Sequence, residues 1–139
     1  MYILDTDVLT LLDAGHTGLQ RHKDQLDRPE VVTTVVTRIE VLRGRFDFVL
    51  KAADGPQLLR ALQWLARSES LLLQIPVIPL DDAAAAEFDR LRQDRTLKKI
   101  GRADLLIASI TLARRATLVT RNLKHFQQVP GLQVENWAD

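Results

Sequence analysis

Short apolar runs alternate with longer amphipathic stretches along this chain. The runs are rich in leucine and β-branched residues, which is typical of strands, whereas the intervening stretches repeat apolar residues at helical spacing. Strands that alternate with helices predict an α/β fold with a mainly parallel sheet, and right-handed crossovers then bring the carboxyl ends of its strands to one edge. The predicted strands lie at residues 2–4, 31–36, 77–80, 117–120 and 132–135.

The middle of the chain predicts two helices that form a hairpin. Residues 39–51 and 56–66 carry helical patterns, and the turn signal Asp54-Gly55-Pro56 separates them. Phe46 is expected to face inward on the first of these helices. Further along, residues 103–110 are apolar on nearly all sides and predict a core helix that begins with a carboxylate. The expected architecture is therefore a sheet flanked by helices, with a protruding helical hairpin.

Composition limits the class of protein. The chain has 139 residues, of which 46% are hydrophobic and 27% charged, so we expect a single soluble domain spanning residues 1–139. A net charge of +1 gives no long-range attraction for nucleic acid, so any phosphate binding must depend on local basic clusters. Cysteine is absent, which excludes disulfides and thiolate metal sites. No signal peptide or membrane span is evident, and we expect a cytoplasmic protein.

Acidic residues adjoin apolar sequence at three separate places. Asp5 and Asp7 follow the first predicted strand, Glu40 lies among apolar neighbours, and Asp104 opens the core helix. A buried charge needs a partner, and two carboxylates at one strand end repel each other unless a cation or a proton intervenes. Three acids next to the core suit a divalent metal with oxygen ligands.

Each acid also has a structural alternative. Asp5 and Asp7 would cap the helix that follows them, and Glu40 would complete the capping box formed by residues 37–40. Asp104 would interact with the dipole of its helix, although that interaction is worth only about 0.3–1 kcal/mol. The histidines show no zinc-binding spacing, and we interpret all three as surface residues. They are His16, His22 and His125.

Polar and basic residues accompany the acids. Asn122 follows the predicted strand that ends at Thr120, where it offers a neutral oxygen ligand. Arg43 and Arg45 lie three and five residues after Glu40. Lysine and arginine usually belong to a solvated surface, but beside acids they are also what a phosphodiester site requires. The candidate contacts to an RNA backbone are Lys98, Lys99, Arg102 and Arg121.

These motifs, in this order, resemble the PIN-domain family, and specifically the VapC-type toxin ribonucleases of toxin–antitoxin pairs. The resemblance covers almost the whole chain. It is carried by Ile3-Leu4-Asp5-Thr6-Asp7, by Ile39-Glu40-Val41-Leu42-Arg43-Gly44, by residues 100–108, by residues 119–126 and by residues 129–137.

The resemblance implies a PIN-like fold with about four to five strands, and an endoribonuclease that depends on Mg²⁺ or Mn²⁺. By the same resemblance, Asp5, Glu40 and Asp104 would bind the metal. Asn122 stands where many family members carry a further acid. The missing charge argues against a fully occupied second metal position. By the resemblance, Asn122 is still counted with the catalytic residues. Asp7 stands where the family often has Asn, and it is a candidate to supply the missing charge. Supporting positions are Thr6, Asp7 and Thr120.

The resemblance also implies partners. These are an RNA substrate, a VapB-like antitoxin that covers the active site, and a second copy of the chain in a homodimer within a larger toxin–antitoxin complex.

Two other functions remain open at this stage. The Asp5-Thr6-Asp7 motif also resembles the nucleophile motif of haloacid-dehalogenase phosphatases, although Leu9 stands where that class needs Thr or Val. The second alternative is a PIN domain that binds RNA or a protein without catalysis, which the amide at Asn122 would allow.

Overall fold

Five strands form a sheet at the centre of the protein, and seven α-helices surround it. The computed structural model describes residues 1–139. Its elements are β1 (Tyr2–Leu4), α1 (Thr6–Asp13), α2 (Thr17–Gln25), β2 (Val31–Thr34), α3 (Val35–Leu50), α4 (Gly55–Gln74), β3 (Val77–Ile78), α5 (Asp82–Arg92), a 3₁₀ helix (Arg95–Leu97), α6 (Arg102–Ala113), β4 (Thr117–Val119), α7 (Leu123–Phe126) and β5 (Gln133–Glu135).

The sheet is parallel throughout, with strand order β3-β2-β1-β4-β5. The central strand β1 pairs with β2 on one side and β4 on the other, and Ile3 lies opposite both Val32 and Leu118. All five strands therefore end at the same edge, which brings the residues after β1, β2 and β4 close together. The predicted α/β class and parallel sheet are confirmed.

Apolar side chains cover both faces of the sheet. The larger cluster contains 16 buried residues, including Ile3, Ile107 and Leu118, and it packs α5, α6 and α7 against one face. The smaller cluster contains 8 buried residues, including Leu4 and Trp137, and it packs α1 and α2 against the other. Burial on both faces explains why the strands are continuously apolar instead of alternating.

The strand predicted at residues 31–36 is shorter than expected. It ends at Thr34, whose side chain accepts a hydrogen bond from the backbone N–H of Thr37 at 3.1 Å and so caps α3. The β-branched residues Val35 and Val36 lie in the helix, because this cap overrides their strand preference. Thr37 is consequently inside the helix, and the capping-box interpretation of Glu40 is wrong.

Helices α3 and α4 form the predicted hairpin, but its apolar residues are more exposed than expected. Phe46 is 49% exposed, so the prediction that it faces inward is wrong. The large hydrophobic side chains that the protein exposes lie on this hairpin, apart from Leu80. They are Ile39, Phe46, Phe48, Leu50, Leu58, Leu59, Leu62, Trp64 and Leu73.

None of the helices combines the length and the apolar composition needed to cross a membrane.

Candidate active site

Asp5 occupies the junction between strand β1 and helix α1. Its Oδ1 atom accepts a hydrogen bond from the backbone N–H of Val8 at 3.0 Å, which makes it the N-cap of α1. Its Oδ2 atom accepts a second bond from the hydroxyl of Thr120 at 2.6 Å, just beyond the end of β4. The side chain is 8% exposed. Asp5 is thus both the N-cap of α1 and a buried carboxylate at the edge of the sheet.

Burial raises the pKa of Asp5 from 3.8 to about 6, against the opposing effect of its two hydrogen bonds. The carboxylates of Asp7 and Asp104 raise that pKa further. Asp7 lies in the first turn of α1 and Asp104 in the first turn of α6, so two helices bring acidic side chains near Asp5. The Asp5 carboxyl therefore ionises less readily than an ordinary aspartate.

Glu40 reaches the same region from helix α3. Its Oε1 atom accepts a hydrogen bond from the hydroxyl of Thr6 at 2.6 Å, and the Thr6 oxygen also lies 3.2 Å from Oγ1 of Thr37. Because Thr6 directly follows Asp5, this bond ties the start of α1 to the second turn of α3. The half-buried Glu40 carboxylate is held beside the Asp5 junction by it.

Asp104 lies in the first turn of α6 and has a partner that the sequence interpretation missed. Its Oδ2 atom is 3.0 Å from Nε2 of His125, whose ring packs edge-on against Phe126 at 5.3 Å between centroids. The Nε2 atom is buried and has no well-aligned hydrogen bond. The interpretation of His125 as a surface residue is wrong, since α7 directs it toward the acid. Its position a few residues after the end of β4 was the signal available.

His16 and His22 also have specific contacts. Nδ1 of His16 accepts a hydrogen bond from the backbone N–H of Leu19 at 3.2 Å and caps α2. The His22 ring stacks on Trp137 with a centroid separation of 4.8 Å. Both are half-buried, so neither is a simple surface residue, and neither belongs to the acidic region.

The remaining predicted site residues lie around this edge with fewer contacts. Asp7 is exposed in the first turn of α1. Asn122 is exposed at the start of α7, and its backbone N–H donates to Oγ1 of Thr120 at 3.0 Å. The four basic candidates are all exposed, and the guanidinium of Arg102 also lies over the Phe88 ring at 5.6 Å. They are Lys98, Lys99, Arg102 and Arg121.

The charged oxygen atoms that could bind a cation at this edge belong to the carboxylates of Asp5, Glu40 and Asp104. No group of three or more acidic, histidine or cysteine side chains is arranged to hold a metal ion in this conformation. The structure brings Asp5, Glu40 and Asp104 to one edge, where a neighbouring side chain holds each carboxylate, without closing the three acids around a common point.

A parallel sheet of five strands flanked by helices agrees with the PIN-like fold that the resemblance implied. The PIN domain family matches residues 2–132, and the chain belongs to that family and, within it, to the VapC ribonucleases. The phosphatase alternative does not agree with this membership.

Relatives over nearly the full length support the narrower group. The chain is 31% identical over 139 residues to a tRNA(fMet)-specific endonuclease VapC of Salmonella typhimurium, covering 99% of this chain and 98% of the relative. It is 29% identical over 144 residues to the ribonuclease VapC1 of Haemophilus influenzae, again covering 99% and 98%.

Solved structures agree with this assignment. The VapBC2 complex of Rickettsia felis bound to a promoter DNA fragment contains a chain with a TM-score of 0.79 at 25% identity, covering 98% of both chains. VapBC-1 of nontypeable Haemophilus influenzae gives a TM-score of 0.78 at 26% identity, covering 99% of this chain and 98% of that one.

The raised pKa of Asp5 predicts a pH-dependent stability. Between pH 3.8 and about 6 the folded chain holds more of this proton than the unfolded chain, so the free energy of unfolding falls as the pH rises through that window. The difference between the two pKa values of Asp5 corresponds to a loss of at most about 3 kcal/mol in the free energy of unfolding. We expect Asp5→Asn to remove this decline and to be more stable than the wild type above about pH 6.

Urea denaturation of both proteins across this window, with EDTA present, measures the effect. The difference between the two unfolding free energies isolates Asp5 from the other titrating groups. A difference that stays constant with pH would contradict the assignment.

Proposed function

We propose that this VapC-family protein is a divalent-metal-dependent endoribonuclease that acts as the toxin of a toxin–antitoxin pair. The observation that carries the metal dependence is Asp5, a buried carboxylate with a pKa raised to about 6 beside the charges of Asp7 and Asp104. A cation at this position would offset the repulsion that otherwise destabilises the ionised site.

The donor set fits Mg²⁺ or Mn²⁺. Both ions prefer hard oxygen ligands, and Mg²⁺ keeps several waters and binds through only a few carboxylates. Asp5, Glu40 and Asp104 would therefore hold the ion without all three closing tightly around it. Asn122 adds a neutral oxygen in place of a further charge, which favours one ion over two.

The protein's own contribution is to hold each acid in place. Thr120 donates to Oδ2 of Asp5, and Thr6 donates to Oε1 of Glu40. A carboxylate oxygen has two lone pairs, so each of these atoms keeps acceptor capacity after one hydrogen bond. Supporting hydrogen bonds of this kind orient ligands, and their loss typically reduces metal affinity or activity by about 10–100-fold.

The chemistry that a bound ion supplies is Lewis acidity, which makes water a stronger nucleophile and neutralises charge on a phosphoryl oxygen. The exposed cations Lys98, Lys99, Arg102 and Arg121 would contact the flanking phosphates, as basic side chains do in most nucleic-acid complexes. Cleavage would then occur at the phosphodiester bond placed against the Asp5 edge.

The exposed apolar hairpin supports the proposed protein partners. Large exposed apolar patches on a small domain are typical of interaction surfaces. The structural relatives from Rickettsia felis and Haemophilus influenzae were solved as VapBC complexes. We therefore propose that a VapB-like antitoxin covers the active site of this chain, and that two copies of the chain form a homodimer within the larger complex.

A PIN domain that binds without catalysis is the second candidate. The observation that favours it is the neutral side chain of Asn122, which lies two residues after Thr120 at the end of β4. The two candidates differ in whether RNA is cut, so one assay separates them.

RNA cleavage by the purified protein should require Mg²⁺ or Mn²⁺ and stop with EDTA. Initiator tRNA is the first substrate to test, since a relative from Shigella flexneri and one from Salmonella typhimurium are tRNA(fMet)-specific endonucleases. Asp5→Asn, Glu40→Gln and Asp104→Asn should each reduce the cleavage rate by more than about 100-fold, because each removes a proposed ion ligand.

Asp27→Asn provides the matched control, since Asp27 is an exposed acid away from the site. Its rate should equal that of the wild type. Cleavage that persists in EDTA would overturn the metal dependence, and RNA binding without cleavage would favour the non-catalytic candidate.

Expression of the chain alone should arrest bacterial growth, because the proposed toxin would cut cellular RNA. Asp5→Asn and Asp104→Asn should restore growth at equal protein levels, as judged by growth curves and immunoblots. Co-expression of the antitoxin should also restore growth. Arrest by Asp5→Asn as complete as that by the wild type would show that toxicity does not arise at this site.

A further inference from the structure

An open groove lies between helices α1 and α3, beside the proposed active site. Thr6 and Thr10 of α1 line one side, and Glu40, Gly44, Arg45 and Phe48 of α3 line the other. Its volume is about 300 Å³. Thr6 and Glu40 line the groove and also belong to the proposed active site. The groove therefore begins at the acids and extends away from them.

Gly44 has no structural reason to be glycine. It lies in the interior of α3, where glycine destabilises a helix relative to alanine. A Cβ atom added at Gly44 would meet nothing within 4 Å, so no close packing excludes a side chain there. Gly44 lines the groove, so a larger side chain at this position would narrow the groove without disturbing the core.

Arg45 is a cation that the hairpin holds in place at this groove. Its Nε–H donates to Oγ of Ser68 at 2.9 Å, and Ser68 is 3% exposed. Its guanidinium also lies over the Trp64 ring at 5.0 Å from the centroid. These contacts use one of the five N–H donors, which leaves the two terminal amino groups for a ligand. A guanidinium fixed in this way is suited to a phosphate oxygen.

Phe48 places an aromatic ring on the same face of α3. Glu40, Gly44 and Phe48 follow one another at intervals of four residues and therefore form one line along the helix. The Phe48 side chain is 48% exposed, although an aromatic ring is normally buried. From Glu40, Arg45 is about 7.5 Å and Phe48 about 12 Å along the helix axis, which is the scale of one or two nucleotides.

We propose that this groove binds the nucleotide next to the cleaved phosphodiester bond, with Arg45 on its phosphate and Phe48 stacked on its base. The proposal rests on the proposed endoribonuclease function. Exposed aromatic rings beside cations are the usual means of binding single-stranded RNA. An apolar peptide segment is the less suitable occupant, because it would bury the charged terminal amino groups of Arg45, which make no hydrogen bond within the protein.

RNA affinity and protein stability, measured on the same variants, test the groove. The probe is a fluorescein-labelled single-stranded RNA of mixed sequence, about ten nucleotides long, bound to the cleavage-defective Asp5→Asn protein in Mg²⁺ and followed by anisotropy. Adding Gly44→Leu should weaken binding at least tenfold while the urea midpoint of unfolding stays equal or rises, since leucine favours the helix. Adding Phe48→Leu should weaken binding without changing the salt dependence.

Arg45→Gln should weaken binding and reduce the slope of log affinity against log salt concentration by about one, as expected for the loss of one phosphate contact. Arg60→Gln is the matched control, because Arg60 is an exposed arginine of the same hairpin, on α4, that does not line the groove. Its affinity should equal that of the Asp5→Asn parent.

The outcomes separate this proposal from the proposed function. If the otherwise wild-type chain cleaves RNA and Gly44→Leu leaves its KM and kcat unchanged, the groove assignment alone is overturned. The same conclusion follows if Gly44→Leu and Arg45→Gln retain RNA affinity and lose only antitoxin binding, which would make the groove a protein site. If the wild-type chain neither cleaves nor binds RNA, both proposals fail.

Discussion

The carboxylate of Asp5 joins the elements on which the active edge depends. One oxygen accepts the N–H that begins helix α1, and the other accepts the hydroxyl of Thr120 beyond strand β4. Parallel pairing of β1 with β4 sets the distance between these two partners. A single buried side chain therefore fixes where α1 begins and where the residues after β4 lie, and the neighbouring Thr6 extends this arrangement to Glu40 on α3.

This arrangement has an electrostatic cost that connects the fold to its proposed activity. Desolvation raises the pKa of Asp5, and the nearby charges of Asp7 and Asp104 raise it further. A site built only for stability would avoid such a combination, because replacing buried charges with apolar groups is often neutral or stabilising. The proposed function explains this cost, since the same acids would hold the proposed divalent ion.

The sequence predicted the fold and the location of the acids for a physical reason. Apolar runs followed by polar residues mark strand ends, and parallel topology brings strand ends together, so Asp5 and Asn122 fall at one edge without knowledge of any contact. The end of β2 was missed because Val35 and Val36 favour a strand, whereas the hydroxyl of Thr34 starts a helix. The Asp104–His125 contact joins α6 to α7, which β4 separates in the sequence, so only the tertiary structure reveals it.

Ion-linked stability tests the central claim most directly, because it measures binding at the acids without any RNA. Urea denaturation near neutral pH should show that Mn²⁺ at about 100 times its dissociation constant raises the unfolding free energy of the wild type by about 2.7 kcal/mol. The same concentration should leave Asp5→Asn nearly unchanged, while the exposed-acid control Asp27→Asn should respond as the wild type does. An equal increase in Asp5→Asn, or no increase in the wild type, would contradict the role of Asp5 as an ion ligand.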